Sequence, residues 1–271
     1  MNHHKVILIL IDGLGWHVAK HAMGYLHALC ESRQASVFKL QCELPSLSRP
    51  LYECILTGSN PVVSGIRHNQ IVQLSQQQSI FHLARQAKLK TAAAAYSWIS
   101  ELYNRAPYDA VRDRFTDDES LPIQHGIFYH EDTYPDSHLL LDAEHLRTSH
   151  NPDFLFIHSM NVDDMGHRFG GDSADYRNAA RHVDVILSHY LPIWQEQGYR
   201  IIVTADHGMN ADCSHGGNLP EEREVPLYLV GDGFDHTARA MEIKQIQIRD
   251  LCALALGIPV THNDELKAFL S

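Results

Sequence analysis

The sequence predicts an α/β fold: a doubly wound, mostly parallel sheet flanked by helices, with a small inserted lobe. Three observations carry this. Segments 5–11, 153–159 and 200–205 hold unbroken apolar runs at 6–11, 154–157 and 201–203, as strands buried on both faces do. Strand-like and helix-like segments alternate along the chain, the order that winds a parallel sheet. Acids or histidines stand at or shortly after the ends of all three runs, on the carboxyl edge where open α/β sheets place their ligands.

Taken in order, residues 5–11 read as a buried strand, followed by a helix over 16–30 and a second strand over 35–40. A Pro/Ser-rich turn then leads into a helix from Ser48 that stops at Gly58. Residues 75–86 have helical periodicity, and 90–95 return as a short apolar strand. The stretch from about 97 to 151 differs in character. It holds Pro107, Pro122 and Pro135, several acids and short patterned pieces, and reads as a lobe inserted into a single domain spanning 1–271. Beyond it come a strand over 153–159, an amphipathic helix over 173–197, strands over 200–205 and 225–230, and a late helix over 246–256. The 271 residues, 44% of them hydrophobic, are enough to fill the interior of one such domain.

A net charge of −11 argues against sequence-independent binding to nucleic acid or anionic membranes, which draws on surplus Lys and Arg. A small anionic substrate would need local compensation, which bound cations supply. The five cysteines are odd in number, widely spaced and without a C-x-x-C pair, so neither a disulfide framework nor a cysteine zinc knuckle is expected. With no apolar run of membrane-spanning length, the expectation is a soluble, cytoplasmic product.

The chemistry gathers at the strand ends. Asp12 follows the first strand, Asp163 and His167 follow the strand over 153–159, and Asp206 and His207 follow the strand over 200–205. Asp163 and His167 are four apart, so a helical turn puts both on one face. His215 adds a third imidazole. Three carboxylates and three imidazoles suit two divalent ions, zinc first and manganese or iron next, and such a pair can clamp both oxygens of a phosphoryl transfer. The turn over 44–50 delivers Ser48 to a helix N-terminus, where backbone N–H groups favour an anion. Ser48 can equally be a simple helix cap.

As a set these pieces resemble the type I phosphodiesterase/nucleotide pyrophosphatase branch of the alkaline phosphatase superfamily. The resemblance rests on Asp12-Gly13, on 44–50 leading to Thr57-Gly58, on Ser64-Gly65-Ile66 with Asn69, and on Asp163 with His167. Asp206-His207-Gly208, His215-Gly216-Gly217 and Val225-Pro226 complete it in family order. It implies an alkaline phosphatase-like core with one metal on Asp163, His167 and His215. The other would sit on Asp12, Asp206 and His207, with Ser48 as its coordinated nucleophile. Asn69 would donate its amide to a phosphoryl oxygen, stabilising developing charge. The implied activity is hydrolysis of phosphodiester, nucleotide pyrophosphate or phosphomonoester bonds through a phosphoseryl intermediate.

Relatives sharing these residues also leave open a phosphonoacetate-type carbon–phosphorus hydrolase and a phosphoryl transferase or mutase. A non-catalytic, metal-dependent binding protein stays open as well. Two departures are visible. Only eight positions separate His207 from His215, where nucleotide pyrophosphatases carry a longer insertion. The sulfatase motif needs Arg four residues after its nucleophile, and Tyr52 stands there. Tyr96 and Trp98 follow the strand over 90–95 and would form either an aromatic wall for the substrate or core packing. His158 and Asp164 are candidates to support the ligands. Arg49 and Arg67 are as compatible with solvated positions as with phosphate contact.

Overall fold

The computed structural model describes residues 4–237 and 242–271. Its strands are β1 Lys5–Ile11, β2 Ala35–Gln41, β3 Thr91–Tyr96, β4 Phe115–Asp117, β5 His125–Tyr129, β6 Phe154–Ser159, β7 Tyr199–Thr204 and β8 Glu224–Val230. The helices of the first half are α1 Trp16–Ala22, α2 Gly24–Glu31, α3 Ser48–Thr57, α4 Pro61–Ser64, α5 Ile80–Gln86 and α6 Ser97–Tyr103. They continue as α7 Ala110–Asp113, α8 Asp136–His150, α9 Asn161–Phe169, α10 Ala174–Glu196, α11 Pro220–Arg223 and α12 Ile248–Ala255.

All eight strands form one sheet in the order β2-β8-β7-β1-β6-β3-β5-β4. The centre, β7-β1-β6-β3-β5, is parallel throughout, so its carboxyl ends share one edge. At one flank β8 runs antiparallel to β7 and to β2, and at the other β4 runs antiparallel to β5. Val6 through Ile11 are buried, which is why the central strand reads as unbroken apolar sequence. On one face α10 packs with α2, α8 and α9; on the other α12 packs with α3 and α5. The doubly wound α/β expectation holds.

Three local expectations are revised. The helix expected over 16–30 breaks at Met23, because Asp184 of α10 accepts the N–H groups of Tyr25 and Leu26 at 2.6 and 3.1 Å and so starts a new helix. The helix expected over 75–86 begins only at Ile80, since Ser79 caps it and the N–H of Ser75 is already given to Leu102. The segment of about 97–151 does not stand apart as a lobe. It adds β5 and β4 to the sheet and lays α8 against β3 and β6. Its prolines lie in the connections around these elements, and β4 is only three residues long, so the segment looks irregular by sequence.

Candidate active site

The first turn after β1 sets the geometry. Asp12 is fully buried, and Gly13 follows with φ +71°, where a Cβ would lie 2.8 Å from Asp163. Only glycine lets the β1 loop and α9 approach this closely. The Gly13 N–H donates to Asp206 Oδ1 at 3.1 Å, and the Tyr176 hydroxyl donates to the Gly13 carbonyl.

Two clusters result. In one, Asp12, Asp206 and His207 place ligand-type atoms within 4.8 Å of one another; in the other, Asp163, His167 and His215 do so. His207 Nε2 lies 3.4 Å from Asp12 Oδ1 and 3.2 Å from Asp206 Oδ2. Ser48, the first residue of α3, brings its Oγ to 3.1 Å from the same nitrogen. In the second cluster His167 Nε2 is 3.1 Å from His215 Nε2 and 3.4 Å from Asp163 Oδ2. The His207 and His215 rings stack at 3.6 Å and join the two clusters.

The donor set fits divalent metal. Each imidazole has a backbone carbonyl beside Nδ1: Gly208 for His207, Cys213 for His167 and Ser46 for His215, at 2.9, 3.0 and 2.7 Å. A carbonyl only accepts, so Nδ1 carries the proton and Nε2 presents a bare lone pair. His167 and His215 therefore point two lone pairs at each other, and His207 points one at two carboxylates. Asp12 Oδ1, Asp163 Oδ1 and Asp206 Oδ2 are buried without any hydrogen-bond partner. A buried, unpaired carboxylate oxygen is costly, and three of them facing bare imidazole nitrogens call for cations.

The electrostatics agree. Burial, and then the charge of Asp12, push the carboxyls of Asp163 and Asp206 well above the usual range. For Asp12 burial is outweighed by the His158 hydrogen bond and the neighbouring His207, so its carboxyl is held below the usual range. Burial also lowers His207, to about 3, and His215, which keeps both imidazoles neutral and able to bind metal.

All eight residues singled out by sequence come together on this edge. Asn69 Oδ1 accepts the N–H of Arg49 at 3.1 Å, which fixes the amide and leaves Nδ2 as a donor next to the start of α3. His158 supports the site, its Nε2 3.1 Å from Asp12 Oδ2, whereas Asp164 turns to Arg168 at 3.4 Å. Arg49 is buried, paired with Glu101 at 2.7 Å and lying 4.4 Å over the Trp98 ring, while Arg67 is exposed. Sequence reasoning missed Tyr52, whose hydroxyl donates to Asp12 Oδ2. Tyr52 and His158 thus occupy one oxygen of Asp12 and leave the other free. The signal was present: Tyr52 is four residues from Ser48, one helical turn along α3.

With this geometry in place, comparison with known proteins identifies its kin. The family described as Type I phosphodiesterase / nucleotide pyrophosphatase matches residues 6–221. GPI ethanolamine phosphate transferase 2 of Candida albicans is 23% identical over 281 residues, covering 96% of this chain and 31% of that protein. The human GPI ethanolamine phosphate transferase 2, catalytic subunit, is 22% identical over 274 residues, covering 94% of this chain and 26% of its own length. The chain thus spans about a third or less of these relatives.

Among solved structures, murine ectonucleotide pyrophosphatase / phosphodiesterase 5 superposes with a TM-score of 0.77 at 14% identity, covering 98% of this chain and 100% of that one. The C-terminal periplasmic domain of EcEptC from Escherichia coli, in complex with Zn, gives a TM-score of 0.68 at 13% identity, covering 97% and 85%. Both share the fold.

These relatives correct one expectation. The cytoplasmic assignment is overturned by transferases named for the GPI anchor. Unpaired cysteines exclude a disulfide framework, and all five thiols are indeed free, but a chain without disulfides is not thereby confined to a reducing compartment. Among the described residues no helix is long and apolar enough to cross a membrane.

Proposed function

This chain belongs to the type I phosphodiesterase / nucleotide pyrophosphatase family, enzymes acting on phosphoric esters, and from that premise we propose that it transfers a substituted phosphoryl group through Ser48. The donor is a phosphodiester, the carried group is of the ethanolamine phosphate kind named in its relatives, and the acceptor is an alcohol. Hydrolysis is the same reaction with water as acceptor. The observation that carries this reading is Ser48 Oγ at 3.1 Å from a bare His207 Nε2, beside the unpaired oxygens of Asp12 and Asp206.

Asp12, Asp206 and His207 would hold one divalent ion together with Ser48, and Asp163, His167 and His215 the other. Zinc is the reading for both. Bound there, the ions would neutralise the phosphoryl oxygens and lower the pKa of the Ser48 hydroxyl. Ser48 Oγ forms the new bond to phosphorus as the bond to the leaving alkoxide breaks; the serine proton is released and the leaving oxygen takes one up. Asn69 Nδ2 donates to a non-bridging oxygen, held in place by the Arg49 N–H on its other end. In the second half the acceptor hydroxyl attacks phosphorus, loses its proton, and Ser48 leaves and is reprotonated.

The test is covalent trapping. Zinc-loaded protein incubated with the p-nitrophenyl ester of ethanolamine phosphate and quenched in acid should carry the substituted phosphoryl group on the Ser48 peptide. Ser48→Ala should bind zinc yet release no p-nitrophenol. Added glycerol should divert product from free ethanolamine phosphate to the glycerol ester. Undiminished turnover by Ser48→Ala would remove Ser48 from the reaction.

A further inference from the structure

The nucleophile and the amide assigned to the same phosphoryl group stand on different elements. Ser48 opens α3, whereas Asn69 lies in the connection between α4 and α5, residues 65–79. A donor stabilises the transition state only if it stays where charge develops, and a surface loop of this length does not hold one side chain there unaided.

The loop is tied at its ends. Ser59 Oγ donates to Gln77 Oε1 at 3.2 Å, the Ser75 N–H donates to the Leu102 carbonyl at 2.8 Å, and Ser75 Oγ donates to Glu53. Inside it Ile66 is buried, while Val62, Val63 and Val72 are exposed. Among the described residues, every hydrogen bond that leaves the segment 60–73 goes to Arg49. The Arg49 N–H donates to Asn69 Oδ1 at 3.1 Å, and Nη1 donates to the Ile71 carbonyl at 2.9 Å. One residue, next to Ser48 in the chain, thus grips the loop on both sides of Gln70.

The guanidinium is itself clamped. Nη2 pairs with Glu101 Oε2 at 2.7 Å, and the group lies 4.4 Å over the Trp98 ring. Glu101 Oε1 accepts the Tyr108 N–H at 2.9 Å, and the Tyr108 hydroxyl donates to the Phe128 carbonyl of β5 at 2.9 Å. These contacts make a strut from the sheet through α6 and the start of α3 to the loop. Apolar residues of similar volume often stabilise a fold as well as a buried ion pair. What they cannot supply is a planar fork that bonds two acceptors while a ring covers its face.

We propose that Arg49 is a positioning residue: its guanidinium, held by Glu101 and Trp98, fixes the loop so that the Asn69 amide faces the phosphoryl group on Ser48. This rests on the transfer reading above, and it assigns the placement of Asn69 to a cation whose charge is spent on Glu101 rather than on phosphate.

The test is a double-mutant cycle on zinc-loaded protein with the p-nitrophenyl ester of ethanolamine phosphate. Arg49→Met is combined with Glu101→Gln, which leaves no charge buried alone and keeps an acceptor for the Tyr108 N–H. Asn69→Ala should lower kcat about 100-fold, the scale of one lost donor to a developing charge. The Arg49/Glu101 variant should lower kcat roughly tenfold, as a displaced catalytic group does, with KM and zinc content near wild type. In the Asn69→Ala background it should cause no further loss. Losses that multiply, or an unchanged kcat, overturn the proposal. Arg49→Lys, which keeps the ion pair but gives up the fork, is a second variant judged by the same criterion. A readout without turnover keeps the two readings apart. Nitrogen NMR relaxation of the Asn69 side-chain amide should show it more mobile in the variants than in wild type. Equal order in all of them overturns the role of Arg49, whereas that difference without any turnover removes the transfer reading alone.

Discussion

Tyr52→Phe isolates the support of Asp12, a proposed metal ligand. Asp12 Oδ2 takes two donors, the Tyr52 hydroxyl and His158 Nε2, and this holds Oδ1 toward His207 Nε2 at 3.4 Å. Removing the hydroxyl deletes one hydrogen bond to a charged acceptor, worth about 1.5–3 kcal/mol, and leaves His158 as the remaining constraint. Groups that orient a ligand typically contribute about 10- to 100-fold in metal affinity. Since His158 stays in place, the lower end, about tenfold, is the expectation. The change also removes the weak contact with Met160 Sδ at 3.7 Å, while the ring keeps its edge packing on His158 at 4.6 Å, so the fold should persist. The assay is competition for zinc against a chromophoric chelator, resolved into two sites. The weakened site should be the one made by Asp12, Asp206 and His207, with the other unchanged. Wild-type affinity at both sites would refute the view that Tyr52 sets the direction of Asp12.

The remaining predictions concern stability and ligation. Asp136 is buried, with Oδ1 accepting from Ser159 at 2.6 Å and Oδ2 unpaired, and burial raises its carboxyl to about 6. A raised acid binds its proton more tightly in the folded state, so stability is full below about pH 4 and is lost as pH rises to 6. Asp136→Asn should therefore stabilise the protein at pH 7.5 by up to about 3 kcal/mol and have little effect at pH 4; equal shifts in Tm at both pH values would contradict this. Gly13→Ala, at φ +71° and with its Cβ 2.8 Å from Asp163, should lower Tm and weaken zinc binding, and an unchanged Tm would show that the loop and α9 separate freely. His167→Ala should leave one zinc per chain by elemental analysis; retention of two would mean that His167 is not a ligand.

Much of this architecture was readable because its physics is local. β1 and β7 are buried on both faces over 6–11 and 201–203, and those stretches are unbroken apolar sequence. A parallel sheet then brings Asp12, Asp163 and Asp206 to one edge whatever their separation along the chain. α3 was legible by its ends, Ser48 at the start and the left-handed Gly58 at the stop. The misreadings share another cause. The break at Met23 depends on Asp184, about 160 residues away along the chain, and β4 pairs only because β5 offers an edge. Tyr52 looks like an ordinary core residue until Asp12 is placed beside its hydroxyl, whereas His158 was legible from its place near the ligands. Arg49 reads equally as a solvated cation or a phosphate contact, and is neither surface-exposed nor free once Glu101 and Trp98 enclose it.

The central claim is that two cations share this edge with Ser48. Anomalous diffraction at the zinc edge from crystals grown with zinc tests it most directly. The account predicts two peaks, one coordinated by Asp163, His167 and His215 and the other by Asp12, Asp206, His207 and Ser48. A single peak, or peaks away from these side chains, would contradict it.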